Sequence, residues 1–406
     1  MIGALGTTGR AIGIALVRDG RGWILLFVAT GWVLSLGTRY VFPVLFPYLR
    51  DAFGLSLATL GLCYTLLWIA YAVGQFPSGI LADRLGERTV LALSMLLSAG
   101  TVLAVGLATN AILLAGGMIL FGFATALYGP TRFAVLTDLY PKYDSTAIGL
   151  TQAAGSLGNT LIPVIAGSLA VYTTWRAGFL YLLPFFFLTG FGLLTVLPAR
   201  STSTSSARGG ISSESTRHVF AAVQTARTLT LTGILATTMF IIQGVSSFYP
   251  IYLIDVKGLT PGQSTTVFGL YFVCAAVVQV LSGALSDIYG PRIVLAGTTA
   301  VQIPVLLSLP LTSSLGQIIL ATVLLSSLYS ATPVATQQLT TSLPVAITGT
   351  GLGLLRTGYF LIAALGSVFI GTVADYGLFE EAFLALLVPA TAALLLSLSL
   401  SHSRQS

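Results

Sequence analysis

Long apolar stretches, broken only by short polar or Gly/Pro-rich turns, run through almost the whole chain. Cutting the sequence at those turns leaves twelve apolar segments, at about residues 22–48, 56–78, 89–109, 111–137, 146–172, 178–197, 229–253, 262–282, 293–312, 316–338, 347–374 and 381–400. A helix of about 20 residues, rising 1.5 Å per residue, crosses the roughly 30 Å hydrocarbon core of a bilayer. The segments are continuously apolar rather than alternating and carry their charges mostly at the ends, so they predict helices and not the strands of a membrane barrel. The first, beginning at Trp23, is too long for the apolar part of a cleaved secretion signal and is expected to stay as the first span. Between the sixth and seventh segments lies the one long polar stretch, whose Ser, Thr and Gly content predicts a linker. The expected fold is all-α, with twelve transmembrane helices in two pseudo-symmetric six-helix bundles, 1–198 and 228–406, joined by a linker at 199–227.

Composition removes the soluble alternative. A mean hydropathy of +0.94 with only 7% charged residues leaves too few charges to cover a globular surface. With twelve spans, alternate turns share a side. One side collects Arg10, Arg18, Arg21, Arg84, Arg88, Lys142, Arg200, Arg208, Arg217, Arg227, Arg292 and Arg404, and the other has only Arg50, Arg176 and Lys257. The positive-inside rule then places both termini and the linker in the cytoplasm of a multi-pass cell-membrane protein. The net charge of +6 is thus an orientation signal, and no nucleic-acid partner is expected. Cys63 and Cys274, in different spans, read as small packing residues, and His218 and His402 form no ligand cluster with them. No cofactor, metal or enzymatic constellation is expected; the partners are the bilayer and a small solute, with the chain a monomer.

One charged turn occurs twice. "GILADRLGERTVL" (Gly79–Leu91) packs Asp83, Arg84, Glu87 and Arg88 into six positions, and "GALSDIYGPRIVL" (Gly283–Leu295) repeats it with Asp287, Gly290 and Arg292. The shift of 204 also carries Gln75 onto Gln279, Gly54-Leu55 onto Gly258-Leu259, Gly149 onto Gly353 and Phe179-Leu180 onto Phe383-Leu384. Six spans are therefore repeated in parallel, and the turn recurs because the six-helix unit recurs.

Gly79 to Arg88 closely resembles the G-x-L-A-D-R-x-G-R-[KR] loop between the second and third helix of each half in the major facilitator superfamily, and Gly283 to Arg292 resembles it more loosely. The resemblance covers both halves and implies two six-helix bundles rocking about a central site, the architecture of a solute carrier. It also implies a gate of Asp83, Arg84, Arg88, Asp287 and Arg292, with Asp83 facing the eleventh span near Thr348 and Asp287 the fifth near Thr146. The alternative role is anchorage of the arginines to the inner leaflet.

A charge at the bilayer centre costs roughly 2.5–3.5 kcal/mol, so an ionisable residue inside a span points to function. Arg39, Arg132 and Arg356 qualify. Under the 204 shift Arg39 falls on Gln243 and Gln152 on Arg356, so two guanidiniums and two amides would converge on one solute between the bundles. Arginine forks bind carboxylate or phosphate, which makes an anion the expected solute. Each arginine has a bland alternative in helix carbonyls or glutamines, and Arg132 a further one in Asp138 or Asp144. Trp68, Tyr128 and Tyr329, with Tyr71, Ser246 and Tyr271, are candidate cavity walls. "RYVFPVLFPYLRDAFGLS" is similar to the first helix of the organophosphate:phosphate antiporter and anion:cation symporter branches, which implies that Arg39 binds the anion. The seventh helix offers Ile242-Gln243 where the organophosphate branch has a second arginine, which weakens a sugar phosphate and leaves a monoanionic or organic-acid substrate within the expected class of small organic or inorganic anions. Every Asp and Glu lies in a turn or near a span end. The competing expectation, efflux of hydrophobic compounds, is disfavoured by Met118 and Phe121 before Gly122, where drug:proton antiporters carry R-x-x-Q-G.

Overall fold

The computed structural model describes residues 21–198, 224–344 and 348–400. Among them, twelve helices are long and apolar enough to cross a membrane. They are α1 Arg21–Phe53, α2 Leu57–Leu85, α3 Glu87–Gly106, α4 Ala111–Leu139, α5 Asp144–Tyr172, α6 Ala177–Val196, α7 Ala226–Asp255, α8 Pro261–Tyr289, α9 Pro291–Ser308, α10 Leu315–Ser342, α11 Thr348–Asp375 and α12 Phe379–Ser399. The protein is all-α and multi-pass. Most of the 199–227 linker, Arg10, Arg18 and Arg404 lie outside the described residues.

Several helices outrun their apolar segments, because a helix continues past the bilayer core wherever its residues still favour helix. α1 carries Arg50 and Asp51 in its last turn, while α2 and α8 carry Asp83 with Arg84 and Asp287 in theirs. Gly86 and Gly290 follow, with φ/ψ of 80°/147° and 85°/150°. That backbone region is open essentially to glycine alone, which explains the glycine in each charged turn. The pair Gly54 and Gly258 also share positive φ, at 61° and 69°.

The repeat extends to the breaks in the helices. α6 is interrupted at Tyr181–Leu182 and α12 at Leu386, and Leu182 and Leu386 are equivalent under the 204 shift. α4 breaks at Leu127, and α10 passes through a 3₁₀ turn, Ser326–Tyr329, next to Ala331, the equivalent of Leu127.

The chain's contacts group it into two compact units, Met1–Val41 with Ala70–Ala207, and Phe42–Ile69 with Arg208–Ser406. This grouping follows contacts rather than the repeat boundary, since α1 and α2 each run from one unit into the other. The core of the first unit includes Phe121 edge-on to Phe186 at 6.4 Å. The second is centred on Leu231, Ile234 and Leu235 of α7, Leu295 of α9 and Ala335 and Leu339 of α10, and Phe46 packs on its Phe248 at 5.6 Å.

Candidate solute-binding site

In the first unit two arginines lie over aromatic rings. The guanidinium carbon of Arg39 on α1 is 3.7 Å from the centroid of Tyr71 on α2, and that of Arg132 on α4 is 3.8 Å from Trp32 on α1. Both arginines are buried, at 1% and 0% exposure. The two stacks meet at Gly129 on α4, where a Cβ would come 3.4 Å from the Tyr71 hydroxyl and 3.9 Å from the Trp32 ring. Arg132 also donates from Nη2 to Gln152 Oε1 on α5 at 2.7 Å.

Local packing fixes this arrangement. The Tyr128 hydroxyl donates to the Val28 carbonyl at 2.9 Å, and its ring stacks on Trp32 at 6.5 Å, so Tyr128 ties α4 to α1. Gly155 of α5 makes room for Trp32, since a Cβ there would lie 2.6 Å from Trp32 Nε1, and Gly158 lets α5 touch the Val33 backbone. Trp32 Nε1 and the hydroxyls of Ser35 and Thr38 are buried and, among the described residues, make no hydrogen bond. An aromatic face attracts the guanidinium lying over it, and the hydroxyls of Ser35 and Thr38 on α1 can each donate or accept.

In the second unit Arg356 on α11 is half-buried, 5.5 Å from the centroid of Phe360, and Phe360 stacks on Trp68 at 6.2 Å and 7°. Its Nε is buried and makes no hydrogen bond among the described residues. Gln243 is only 6% exposed and donates to Ser367 Oγ on α11 at 3.4 Å, while Ser367 and Ser247 hydroxyls bond at 2.6 Å. Tyr329 packs edge-on against Tyr271 and Phe272. Of the expected quartet, Gln152 is engaged by Arg132 and Gln243 by Ser367, each within its own unit.

Asp83, Arg84 and Asp287 are exposed, and Arg88 and Arg292 are half-buried. Arg292 donates to the Leu398 carbonyl at 3.0 Å and, with Asp287, Arg227, Gln337 and Gln338, lines a cavity of about 850 Å³. The side chain of Thr348 lies outside those described. Among the described residues, every Asp and Glu lies within three residues of a helix end. None forms a metal-binding cluster. Trp32 and Gly129, next to the arginines of the first unit, and Phe360, next to Arg356 in the second, are not singled out in the sequence. A signal existed: Trp32 stands two turns before Arg39 on one helix face, and Phe360 one turn after Arg356.

A family model described as Major Facilitator Superfamily matches residues 27–270 and 258–405. The chain belongs to the Major Facilitator Superfamily. Within it, the chain is 27% identical to a probable hexose phosphate transport protein of Chlamydia pneumoniae, over 43% of this chain and 38% of that one. It is 26% identical to a hexuronate transporter of Bacillus subtilis (strain 168), over 39% of this chain and 38% of the relative. The matched stretch thus spans well under half of either relative. An uncharacterized MFS-type transporter of Bacillus subtilis is matched along 87% of this chain and 86% of its own, at 22% identity. In fold, the protein is similar to a bacterial homolog of the human lysosomal transporter Spinster, with a TM-score of 0.80 over 94% of this chain and 97% of that one, at 19% identity. A D-xylose-proton symporter follows at 0.75, with 15% identity over 92% of this chain and 96% of the symporter.

Proposed function

We propose that the protein transports a small anion, an organic acid or phosphate-bearing solute, across the cell membrane by alternating access, and that Arg39 and Arg132 hold that anion. The observation that carries this reading is the pair of fully buried guanidiniums in one unit, Arg39 over Tyr71 and Arg132 over Trp32, two rings that both approach Gly129, with the described carboxylates kept at helix ends. Burying two cations is costly unless an anion or hydrogen-bond acceptors compensate them, and Arg forks match carboxylate and phosphate oxygens. Arg356 is the cation that the second unit offers to the same class of ligand. The hexose phosphate and hexuronate named for the two relatives are both anionic, which supports the class. Both termini and the charged turns are proposed to be cytoplasmic, because Arg84, Arg88, Lys142, Arg227 and Arg292 gather at one set of helix ends. Asp83 and Asp287, with the arginines beside them, are proposed to gate that face.

The test is a thermal-shift screen of the purified protein against inorganic phosphate, a hexose 6-phosphate, a hexuronate and the cationic amphiphile ethidium. A ligand that binds the folded state raises its melting temperature. Stabilisation by one of the anions, lost in Arg39→Lys and Arg132→Lys, is expected. Stabilisation by ethidium alone would replace the anion reading with efflux of hydrophobic cations.

A further inference from the structure

Residues 42–69, the end of α1 and the first part of α2, are packed in the second unit. Asp375, the last residue of α11, accepts hydrogen bonds from the first two backbone N–H groups of α2, from Leu57 at 2.7 Å and Ala58 at 2.9 Å. The start of a helix leaves such donors without intrahelical partners and carries partial positive charge, so a carboxylate fits there. Ser56 provides a local cap for Thr59 only, at 3.1 Å. Arg50 reaches Asp255 at the end of α7 with two hydrogen bonds. Further along, Thr65 donates to the Ala364 carbonyl of α11 at 2.8 Å, and Gly61 lies so close to Ser367 that a Cβ would come 2.6 Å from its carbonyl oxygen.

The equivalent helix start is built differently. α8 begins at Pro261, which has no N–H, and caps itself: Thr260 Oγ1 accepts from Gln263 N at 3.3 Å while Gln263 Oε1 accepts from Thr260 N at 3.0 Å. Under the 204 shift Asp375 falls on Val171, which has no acceptor side chain. α8 therefore keeps its cap wherever it moves, whereas on α2 only the Ser56 cap of Thr59 is local, and Leu57 and Ala58 have the Asp375 acceptor only while α2 touches α11. α1 also contains Pro43 and Pro47 just beyond Val41, where its membership passes from one unit to the other. Proline removes the bond to the carbonyl four residues back, which for Pro43 is that of Arg39, and so makes this the most easily bent part of α1.

We propose that residues 42–69 form a strap, hinged at Pro43 beside Arg39 and latched to α11 by Asp375, whose release exposes the covered face of α11 to water. The strap lies on the extracellular side in the orientation proposed above, and that reading supplies its purpose, but the latch is testable without any solute. Ala364, 1% exposed beneath the strap, serves as the reporter. Ala364→Cys is placed in a chain carrying Cys63→Ser and Cys274→Ser, and its labelling by a membrane-impermeant maleimide is timed in right-side-out vesicles, with and without Asp375→Ala or Arg50→Gln. Two charge-assisted hydrogen bonds are lost in Asp375→Ala, so labelling is expected to speed up about tenfold or more. Arg50→Gln, which removes a more exposed pair, is expected to give about twofold. Ala99→Cys, buried in the first unit, is the control for general loosening and is expected to keep its rate. Unchanged labelling at Ala364→Cys in Asp375→Ala would overturn the latch, as would an equal rise at Ala99→Cys. A working latch together with unaltered anion affinity in Arg39→Lys and Arg132→Lys would instead sink the proposed substrate and leave the strap in place.

Discussion

Arg39 in the first repeat and Gln243 in the second occupy equivalent positions and have different work. Arg39 lies on the ring of Tyr71, whereas Gln243 is bound to Ser367, which is bound in turn to Ser247. The residues equivalent to Ser247 and Ser367 in the first repeat are Pro43 and Pro163, neither of which can donate. The crossing of α7 with α11 is thus tied by side-chain hydrogen bonds, in addition to the close approach of Gly244 and Gly366, while that of α1 with α5 rests on Gly37, Gly155 and Gly158. Similarly, Gln152 holds Arg132, but in the second repeat Arg356 stands at the position of Gln152 and Thr336 at that of Arg132, and Arg356 lies over Phe360. Duplication preserved the backbone, including its helix breaks, and let the polar side chains diverge. One repeat keeps its buried cations on aromatic faces, and the other turned the same position into helix-to-helix glue.

Exchanging the two residues breaks this comparison most directly. Gln243→Arg forces a guanidinium into a slot sized for an amide and lined by two serine hydroxyls, and an uncompensated buried charge costs about 3–5 kcal/mol. Its melting temperature in detergent and its folded yield are expected to fall sharply, while an unchanged melting curve would show that the slot is not structural. Arg39→Gln, the reverse exchange, should leave the melting temperature close to the parent's. Anion affinity should drop about ten- to a hundredfold, since a charge-assisted hydrogen bond is worth roughly 1.5–3 kcal/mol. Equal affinity, measured with whichever anion stabilises the parent, would remove Arg39 from the site.

Gly155→Ala sharpens the contrast between the two helix crossings, because the added methyl meets Trp32 and must displace the ring on which Arg132 lies. A loss of about 1–3 kcal/mol in stability, accompanied by weaker anion binding, is expected from thermal and binding titrations. Gly353→Ala in the second repeat, where a Cβ would meet open space, should do neither. The smallest effect is expected at the charged turns. Asp83→Asn should slow transport a few-fold at unchanged folded yield, and parental rates in proteoliposomes would reduce that turn to a membrane anchor.

The sequence by itself determined the twelve spans, the duplication with its paired glycines at 86 and 290, and the presence of cations where a bilayer penalises them. Each of these follows from apolar run length, the shift of 204 or the cost of burying a charge, whereas the backbone region that demands those glycines came from the structure. Only the tertiary structure decided which partner each polar group takes. Gln152 and Gln243 were legible as intramembrane amides, yet their hydrogen bonds to Arg132 and Ser367 depend on how α5 crosses α4 and how α11 crosses α7. Asp375 reads as an ordinary helix-end carboxylate, and its place over Leu57 and Ala58, 318 and 317 residues away in the chain, comes from packing alone. Hydropathy and spacing record what each residue costs to bury, whereas the partner that offsets the cost is set by helix crossings, which involve residues far apart in the chain.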